Sequence, residues 1–187
     1  MITITDRSNL NTENLMRFPS NDITFPKKKE SDTLFFPNKK YIVISARVHP
    51  SEVASSYVLQ GIINALLEKS EYSKFLKDTV LLIVPMLNPD GVYNGYTRLD
   101  TNGYNLNAHY KWAGHKTPSI KALTDVIKFV NKNGNLHAYL DLHSHLTKRG
   151  IFFFGNPINQ VNYKEALEIP FFFGQLQKDF KAKTSSK

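Results

Sequence analysis

Cysteine is absent from the 187-residue sequence, and this absence excludes two classes of structure. Neither a disulfide framework nor a thiolate metal site can form, so a metal would have to bind histidine and carboxylate side chains. Long apolar runs are also absent, because Lys, Asp or Asn interrupts every candidate before the roughly 18 residues that a bilayer span requires. The first residues carry no secretory signal pattern. These absences predict a cytoplasmic protein without a membrane span.

Acidic residues are outnumbered, with 16 Asp and Glu against 24 Lys and Arg, which gives a formal net charge of +8. Such a balance favours an acidic partner, either nucleic acid, a membrane surface or an acidic polypeptide. The sequence contains no Cys/His finger and no aromatic RNA-binding motif, so nucleic acid is the weakest of these alternatives. Because the basic residues are dispersed in small groups, an ordinary solvated surface explains them equally well.

Hydrophobic patterns predict one α/β domain. Residues 2–5 alternate like a short strand, and residues 6–40 are polar and interrupted by proline, which predicts a long surface loop. Residues 41–48 are nearly all apolar, as expected for a strand that is buried on both faces. Ser51 is placed to cap a following helix, whose apolar side chains recur every three or four residues to about residue 69.

The alternation of strands and helices continues along the chain. Residues 79–86 predict a second buried strand, which ends in the turn sequence Asn-Pro-Asp-Gly. Residues 92–116 lack periodicity and predict an ordered loop. A helix is predicted to start at Thr117 and Pro118 and to stop near Gly134.

Two further strands are predicted at residues 136–142 and 151–154. Strands that alternate with helices indicate an α/β fold with a mixed, mostly parallel sheet and helices on both faces. Ligands in such sheets bind where the carboxyl ends of strands open into loops. Candidate site residues are therefore sought at those ends.

The ends of two predicted strands carry side chains that can bind a metal. His49 and Glu52 form an H-x-x-E element after the first buried strand, and His143 follows a later one. A catalytic zinc site takes three protein ligands from such residues and leaves a fourth position for water. His145 competes with His143, and Asp141 is placed to orient an imidazole. An H-x-x-E spacing also arises by chance in a chain with six histidines, so spacing alone does not decide between zinc ligands and ordinary polar residues.

Five segments follow one another along the chain: ARVHPSE at 46–52, PMLNPDGV at 85–92, NLN at 105–107, DLHSH at 141–145 and KRG at 148–150. Together they resemble the cytosolic carboxypeptidase branch of the M14 zinc metallocarboxypeptidases. Within this branch the sequence looks nearest to deglutamylases that act on tubulin tails. The resemblance implies a zinc carboxypeptidase fold and removal of glutamate from acidic protein tails.

The resemblance also implies roles for individual residues. His49, Glu52 and His143 are implied to bind one zinc ion. Arg98 is implied to stabilise the developing oxyanion, and Asn107 to contact the carboxylate of the substrate. Both roles agree with the chemistry of the side chains, because a guanidinium stabilises negative charge and an amide donates hydrogen bonds to a carboxylate.

The sequence departs from the family pattern at two points. Ala108 stands where the family has an arginine that grips the terminal carboxylate of the substrate. The family's catalytic glutamate lies on a late strand, and no segment after His143 resembles that strand. We therefore expect residues 1–187 to be a partial catalytic domain, incomplete at its C-terminal end, with residues 1–40 forming a strand and long loop at the junction with a missing N-terminal domain.

Three functions are compatible with the sequence. The first is a zinc-dependent carboxypeptidase that removes C-terminal or branch glutamates from acidic tails such as those of tubulin. The second is a catalytically impaired relative that only binds such tails. The third is a related zinc amidohydrolase, which residues 88–107 fit less well.

Overall fold

The computed structural model divides the chain into two compact units, Met1–Ser144 and His145–Lys187. The residues that it describes are 1–8, 15–18, 33–148 and 150–154. Only a short part of the second unit is described, so the fold below is that of the first. Among the described residues, no helix combines the length and the apolar character that crossing a bilayer would require.

A four-stranded sheet with the strand order β1-β3-β2-β4 forms the centre of the first unit. Its strands are β1 (Ile2–Ile4), β2 (Lys40–Ala46), β3 (Thr79–Val84) and β4 (Leu136–Leu142). β2 pairs in parallel with both β3 and β4, whereas β1 pairs antiparallel with β3. The predicted mixed, mostly parallel sheet is therefore confirmed.

Two long and two short helices accompany the sheet in the described part of the first unit. They are α1 (Val53–Glu68), α2 (Ser73–Asp78), α3 (Pro89–Tyr93) and α4 (Pro118–Lys132). Hydrophobic periodicity predicts α1 and α4, but the short α2 and α3 escape it because one or two turns show no repeat. Two 3-10 turns, Leu106–Ala108 and Tyr110–Trp112, lie within the predicted loop at 92–116.

Alternate side chains of β2 pack on opposite faces of the sheet. Tyr41 and Val43 join a buried cluster with the apolar side of α4, while Ile44 packs on the other face against α1. A fully buried aliphatic side chain contributes about 1.5–3 kcal/mol to such packing. Helices on both faces are thus confirmed. Because Ala46 pairs with Leu142, the carboxyl ends of β2 and β4 lie side by side.

Residues 151–154, predicted as a strand, form neither a strand nor a helix, so this prediction is wrong. Their aromatic composition suggested a strand, but a strand requires a hydrogen-bonded neighbour, and these residues pair with none of the described strands. Within the second unit, the Lys148 ammonium instead lies 4.9 Å from the ring centre of Phe152 and 4.6 Å from that of Phe154.

The start of α1 also differs from the prediction, because Glu52 rather than Ser51 occupies the N-cap position. The Ser51 hydroxyl donates a hydrogen bond to the carbonyl oxygen of Thr97 at 2.8 Å. Ser51 is therefore held by a distant loop, and the helix begins two residues later, at Val53. Ser51 lies between the ligand candidates His49 and Glu52, so its contact with Thr97 also fixes the backbone that carries these two residues.

Candidate metal centre

A strained turn after β2 directs the first two candidate ligands. Arg47 has a φ of 58°, in the left-handed region that costs an ordinary residue about 1–2 kcal/mol. Its buried guanidinium donates to the Pro50 carbonyl oxygen at 2.6 and 3.0 Å and to Ser56 Oγ at 3.1 Å. These contacts close the turn, and His49 Nδ1 and Glu52 Oε1 lie 2.8 Å apart.

Helix α3 supports this turn. The Asn88 N–H donates to the Arg47 carbonyl oxygen at 3.1 Å. Asn88 Oδ1 accepts from the Gly91 N–H at 3.0 Å, which makes the predicted Asn-Pro-Asp-Gly turn the first turn of α3. A Cβ atom at Gly91 would lie only 2.5 Å from Pro50 Cγ and 2.6 Å from Asn88 Oδ1. Glycine is therefore what allows α3 to approach the turn so closely.

His143, at the end of β4, forms a cluster with His49 and Glu52 in which one ligand atom from each residue lies within 4.8 Å of the others. The Glu52 carboxylate joins the histidines. Its Oε1 is 2.8 Å from His49 Nδ1, and its Oε2 is 2.9 Å from His143 Nδ1 and accepts from the Ser144 N–H at 3.0 Å. The imidazole centroids are 5.1 Å apart, so the two strand ends meet on the same side of the sheet.

An oxygen atom contacts the far nitrogen of each imidazole. His49 Nε2 is 3.1 Å from Asn105 Oδ1, and His143 Nε2 is 3.2 Å from Asp141 Oδ2. When a metal ion takes the place of a proton on Nδ1, these oxygen acceptors fix the remaining proton on Nε2 of each ring. Nitrogen lone pairs and a carboxylate repel one another when they converge, unless a proton or a metal cation lies between them.

The hydrogen bonds within the cluster shift the pKa values of Glu52 and His143. Burial alone would raise the pKa of Glu52, but hydrogen bonds from His143, His49 and the Ser144 N–H lower this pKa to about 2. Burial alone would lower the pKa of His143, but hydrogen bonds to Asp141 and Glu52 and the charges of these carboxylates raise it to about 9. Near neutral pH a proton on His143 therefore supplies the positive charge that the metal-free cluster requires.

The three side chains fit a zinc ion of the catalytic type. Two histidines and one glutamate form a known catalytic zinc set, which leaves a fourth position for water or substrate. Zinc holds such ligand atoms at about 2.0–2.2 Å, which places them about 3.3–3.6 Å from one another in a tetrahedron. The ligand atoms, at most 4.8 Å apart, need only small side-chain movements to reach this geometry. The role of these residues as zinc ligands remains a prediction.

Hydroxyl groups surround the carboxylate of Asp141. Ser45 Oγ donates to Oδ1 at 2.7 Å, and Tyr110 Oη donates to Oδ2 at 2.8 Å. The Tyr139 hydroxyl lies 2.8 Å from Ser45 Oγ and 2.9 Å from Tyr110 Oη. Burial, with the neighbouring Tyr139 and the charge of Asp141, holds the pKa of Tyr110 well above its usual range, so this hydroxyl keeps its proton. Burial raises the pKa of Asp141, but hydrogen bonds from His143 and Ser45 outweigh burial and lower it.

Sequence reasoning missed the site roles of the hydroxyl groups and of Asn105. For two of them a signal existed: Ser45 pairs with Asp141 in the β2–β4 register, and Tyr139 lies two residues before Asp141 on the same face of β4. No such signal exists for Asn105 and Tyr110. Both come from the aperiodic loop at 92–116 and reach the ligands only through the fold.

Arg98 and Asn107 are exposed and lie outside the three-residue cluster. The backbone next to Arg98 is fixed, because the Thr97 carbonyl oxygen accepts hydrogen bonds from the Ser51 N–H at 3.2 Å and from Ser51 Oγ at 2.8 Å. Asn107 lies in a 3-10 turn, two residues after Asn105. The roles of Arg98 and Asn107 towards a substrate therefore stay predictions.

The competing ligand candidate, His145, belongs to the second unit. There its Nδ1 accepts the N–H of Lys148 at 3.2 Å and that of Thr147 at 3.3 Å. The cluster contains His143 instead. Ala108, which replaces the family arginine, is exposed and offers no polar group to a carboxylate.

A mostly parallel sheet that brings two histidines and a glutamate together at the carboxyl ends of its strands defines an α/β protein with a set of side chains that suits a catalytic zinc ion. Comparison with known families gives the particular one. A profile of the zinc carboxypeptidases, peptidase family M14, matches residues 23–169. The chain belongs to the zinc carboxypeptidase family.

Relatives in this family include several cytosolic carboxypeptidases. Cytosolic carboxypeptidase 6 of Mus musculus is 41% identical over 124 residues, which are 63% of this chain and 23% of that protein. Cytosolic carboxypeptidase 6 of Caenorhabditis elegans is 34% identical over 157 residues, which are 78% of this chain and 34% of that protein. The chain thus matches about a third or less of the length of these relatives.

Solved structures confirm the fold. A metallo-carboxypeptidase from Burkholderia cenocepacia superposes with a TM-score of 0.68 at 24% identity, covering 80% of this chain and 42% of that one. An aspartoacylase family protein from Mesorhizobium loti superposes with a TM-score of 0.51 at 18% identity, covering 66% of this chain and 38% of that one. Because both identities are low, these similarities establish the zinc carboxypeptidase type of fold and leave the reaction to other arguments.

Proposed function

We propose that the chain carries the zinc-binding part of a cytoplasmic metallocarboxypeptidase that removes C-terminal or branch glutamates from acidic protein tails such as those of tubulin. The observation that carries the proposal is the Glu52 carboxylate between His49 Nδ1 and His143 Nδ1, at 2.8 and 2.9 Å. The proposal is supported by the fit of this arrangement to a zinc ion and by the family of the chain, the zinc carboxypeptidases.

Each candidate residue has a defined task in this proposal. His49, Glu52 and His143 would hold the ion, which would supply Lewis-acid chemistry towards the scissile carbonyl and a water of lowered pKa. Arg98 donates hydrogen bonds to the oxyanion as it develops, and Asn107 donates to the terminal carboxylate of the substrate. The catalytic base is a glutamate that the family resemblance assigns to a strand beyond those described.

The acidic substrate class is supported by charge and by the loop that carries Asn107. The sequence has a formal net charge of +8, which attracts acidic polypeptides over a longer range than hydrogen bonds do. Lys111 is exposed four residues after Asn107, and its ammonium lies 5.0 Å from the centre of the exposed Trp112 ring. A cation at this position suits a glutamate side chain or a terminal carboxylate.

Zinc content tests the ligand assignment directly. We expect the purified chain to retain zinc after dialysis, and His49→Ala and His143→Ala each to lose it. His137→Ala is the matched control, because His137 is an exposed histidine on the strand that leads to His143. Full zinc retention in both ligand variants would disprove the assignment. Binding of a peptide with a C-terminal glutamate, compared with the same peptide ending in an amide, tests the substrate class.

Ala108 favours a second candidate function, a module that binds acidic tails without hydrolysing them. A bidentate arginine contact with a carboxylate contributes about 1.5–3 kcal/mol, and Ala108 cannot supply it. This candidate predicts salt-sensitive binding of polyglutamate and no turnover, even when the chain is extended by a family strand that bears the catalytic glutamate. Turnover of a glutamate-tailed peptide by such an extended chain would eliminate it.

A further inference from the structure

Tyr110 links the loop before α4 to the ligand at the end of β4. We propose that Tyr110 is a positioning residue that keeps His143 in its metal-binding orientation by fixing the carboxylate of Asp141. The inference rests on the zinc site proposed above and extends it to a residue that touches neither the ion nor a substrate. Its basis is a chain of three side chains, with Tyr110 donating to Asp141 and His143 Nε2–H donating to Asp141.

The two donors meet at one oxygen atom. Asp141 Oδ2 is 2.8 Å from Tyr110 Oη and 3.2 Å from His143 Nε2, while Ser45 Oγ holds Oδ1 at 2.7 Å. With a hydroxyl donor on each oxygen, the carboxylate is restrained from turning about its Cβ–Cγ bond. Without Tyr110, Oδ2 has no hydroxyl donor and can turn away. His143 would then lose the acceptor that keeps the proton on Nε2 and Nδ1 directed at Glu52.

Counting protons separates Tyr110 from its neighbour Tyr139. Each hydroxyl has a single proton, and those of Ser45 and Tyr110 are both donated to Asp141. Among the described residues, the Tyr139 hydroxyl hydrogen-bonds with the Ser45 and Tyr110 oxygens alone, at 2.8 and 2.9 Å, so its proton serves one of those two. Tyr139 therefore supports the cluster without contacting Asp141. The two tyrosines are a matched pair: both are partly buried, and each loses only its hydroxyl on replacement by phenylalanine.

The loop that carries Tyr110 is itself firmly anchored. Leu106 is buried, with 2% of its surface exposed. The Asn105 carbonyl oxygen accepts from the Ala108 N–H at 3.0 Å and lies 2.7 Å from His109 Nδ1. The same loop therefore supports both imidazoles, since Asn105 contacts His49 directly and Tyr110 reaches His143 through Asp141. An anchored loop can fix the position of the Tyr110 hydroxyl, as the proposal requires.

Metal binding by two phenylalanine variants tests the proposal in the full chain. Outer-sphere partners of metal ligands typically affect metal affinity by about 10- to 100-fold, so we expect Tyr110→Phe to weaken zinc binding about tenfold. We also expect it to change the visible absorption spectrum of the cobalt-substituted protein at saturating cobalt. Tyr139→Phe keeps both hydroxyl donors to Asp141, so it is expected to change both measurements clearly less than Tyr110→Phe does. Thermal unfolding of both variants reports the purely structural cost of losing a buried hydroxyl.

Equal loss of zinc affinity in the two variants, or an unchanged cobalt spectrum in Tyr110→Phe, would overturn the proposal. His143→Ala separates this failure from failure of the zinc site. If His143→Ala abolishes zinc binding while Tyr110→Phe does not weaken it, the ligand assignment stands and only the positioning role is wrong. If His143→Ala retains zinc, the ligand assignment fails and the positioning role fails with it.

Discussion

The two segments that bring histidine to the metal centre are built differently. The side chain of His49 is 4% exposed, and its turn is braced by the Arg47 guanidinium and by α3. The side chain of His143 is 32% exposed and stands at the end of β4, held by Asp141 and by Glu52. The first segment is held by the backbone and guanidinium contacts of its turn and of α3, whereas the second is held by two carboxylate side chains. Glu52 belongs to the His49 segment, and its carboxylate orients His143 in the other segment. The metal centre therefore forms only when both segments are folded.

Replacing Glu52 by glutamine should remove the carboxylate that joins the two histidine segments, and it should reduce zinc affinity more than any other change proposed below. The amide keeps the shape of the side chain but loses the charge that both imidazoles face. We expect zinc affinity to fall more than about 100-fold, beyond the range of outer-sphere substitutions. Competition with a chromogenic zinc chelator measures the affinity.

Glu71→Gln is the control for Glu52→Gln. Glu71 is an exposed glutamate in the 3-10 turn after α1, so its substitution removes the same charge at a position outside the metal-binding cluster. It should bind zinc like the wild type. If Glu52→Gln also bound zinc like the wild type, the two histidine segments would hold the ion without their shared carboxylate, and the dependence described above would be wrong.

Changing the pH should distinguish the two segments through the proton on His143. The pKa of Glu52 is about 2, so this carboxylate stays ionised near neutral pH, while the pKa of His143 is about 9. Zinc must displace the His143 proton below that pH, and a one-proton competition changes the binding free energy by about 1.4 kcal/mol per pH unit. We therefore expect zinc affinity to fall about tenfold for each pH unit between about pH 8 and about pH 6.

Titration calorimetry in two buffers of different ionisation enthalpy measures the proton directly. Release of about one proton per zinc near neutral pH is the expected result, since metal binding requires the neutral imidazole. Asp141→Asn removes one of the two charges that raise the pKa of His143, so this variant should release less. Zinc binding without proton release in the wild type would show that His143 is not protonated in the metal-free protein.

The difference between the segments also explains how much the sequence could predict. The strands and α1 and α4 follow from apolar periodicity, and His49 with Glu52 follows from a spacing of three residues after a buried strand. His143 is 94 positions after His49, so its meeting with Glu52 depends on the parallel pairing of β2 with β4. The family resemblance supplied this ligand, whereas spacing alone left His145 as an alternative.

The errors share a physical cause, since a local pattern does not show which distant part of the chain, if any, pairs with a segment. Ser51 has the local features of a helix cap, yet its hydroxyl donates to Thr97, 46 residues away. Residues 151–154 have the composition of a strand but no strand partner among the described residues. In the sequence Tyr110 has no feature that distinguishes it from other loop tyrosines, and its contact with Asp141 forms only in the folded chain. Local sequence patterns predict the main strands and helices well, whereas contacts between distant loops can be read only from the folded structure.

A methyl group at Gly91 should sharpen the comparison with the smallest of the expected effects. Its Cβ would meet Pro50 Cγ at 2.5 Å and Asn88 Oδ1 at 2.6 Å, so in Gly91→Ala the turn between His49 and Glu52 or the start of α3 must shift. We expect a loss of about 1–3 kcal/mol in the free energy of unfolding, the range for overpacking. Gly61→Ala is the matched control, because no atom lies within 4 Å of the added Cβ on α1, and alanine should stabilise the helix by about 0.5–1 kcal/mol. Urea unfolding that gave both variants the same sign would contradict the close packing of α3 against the first segment.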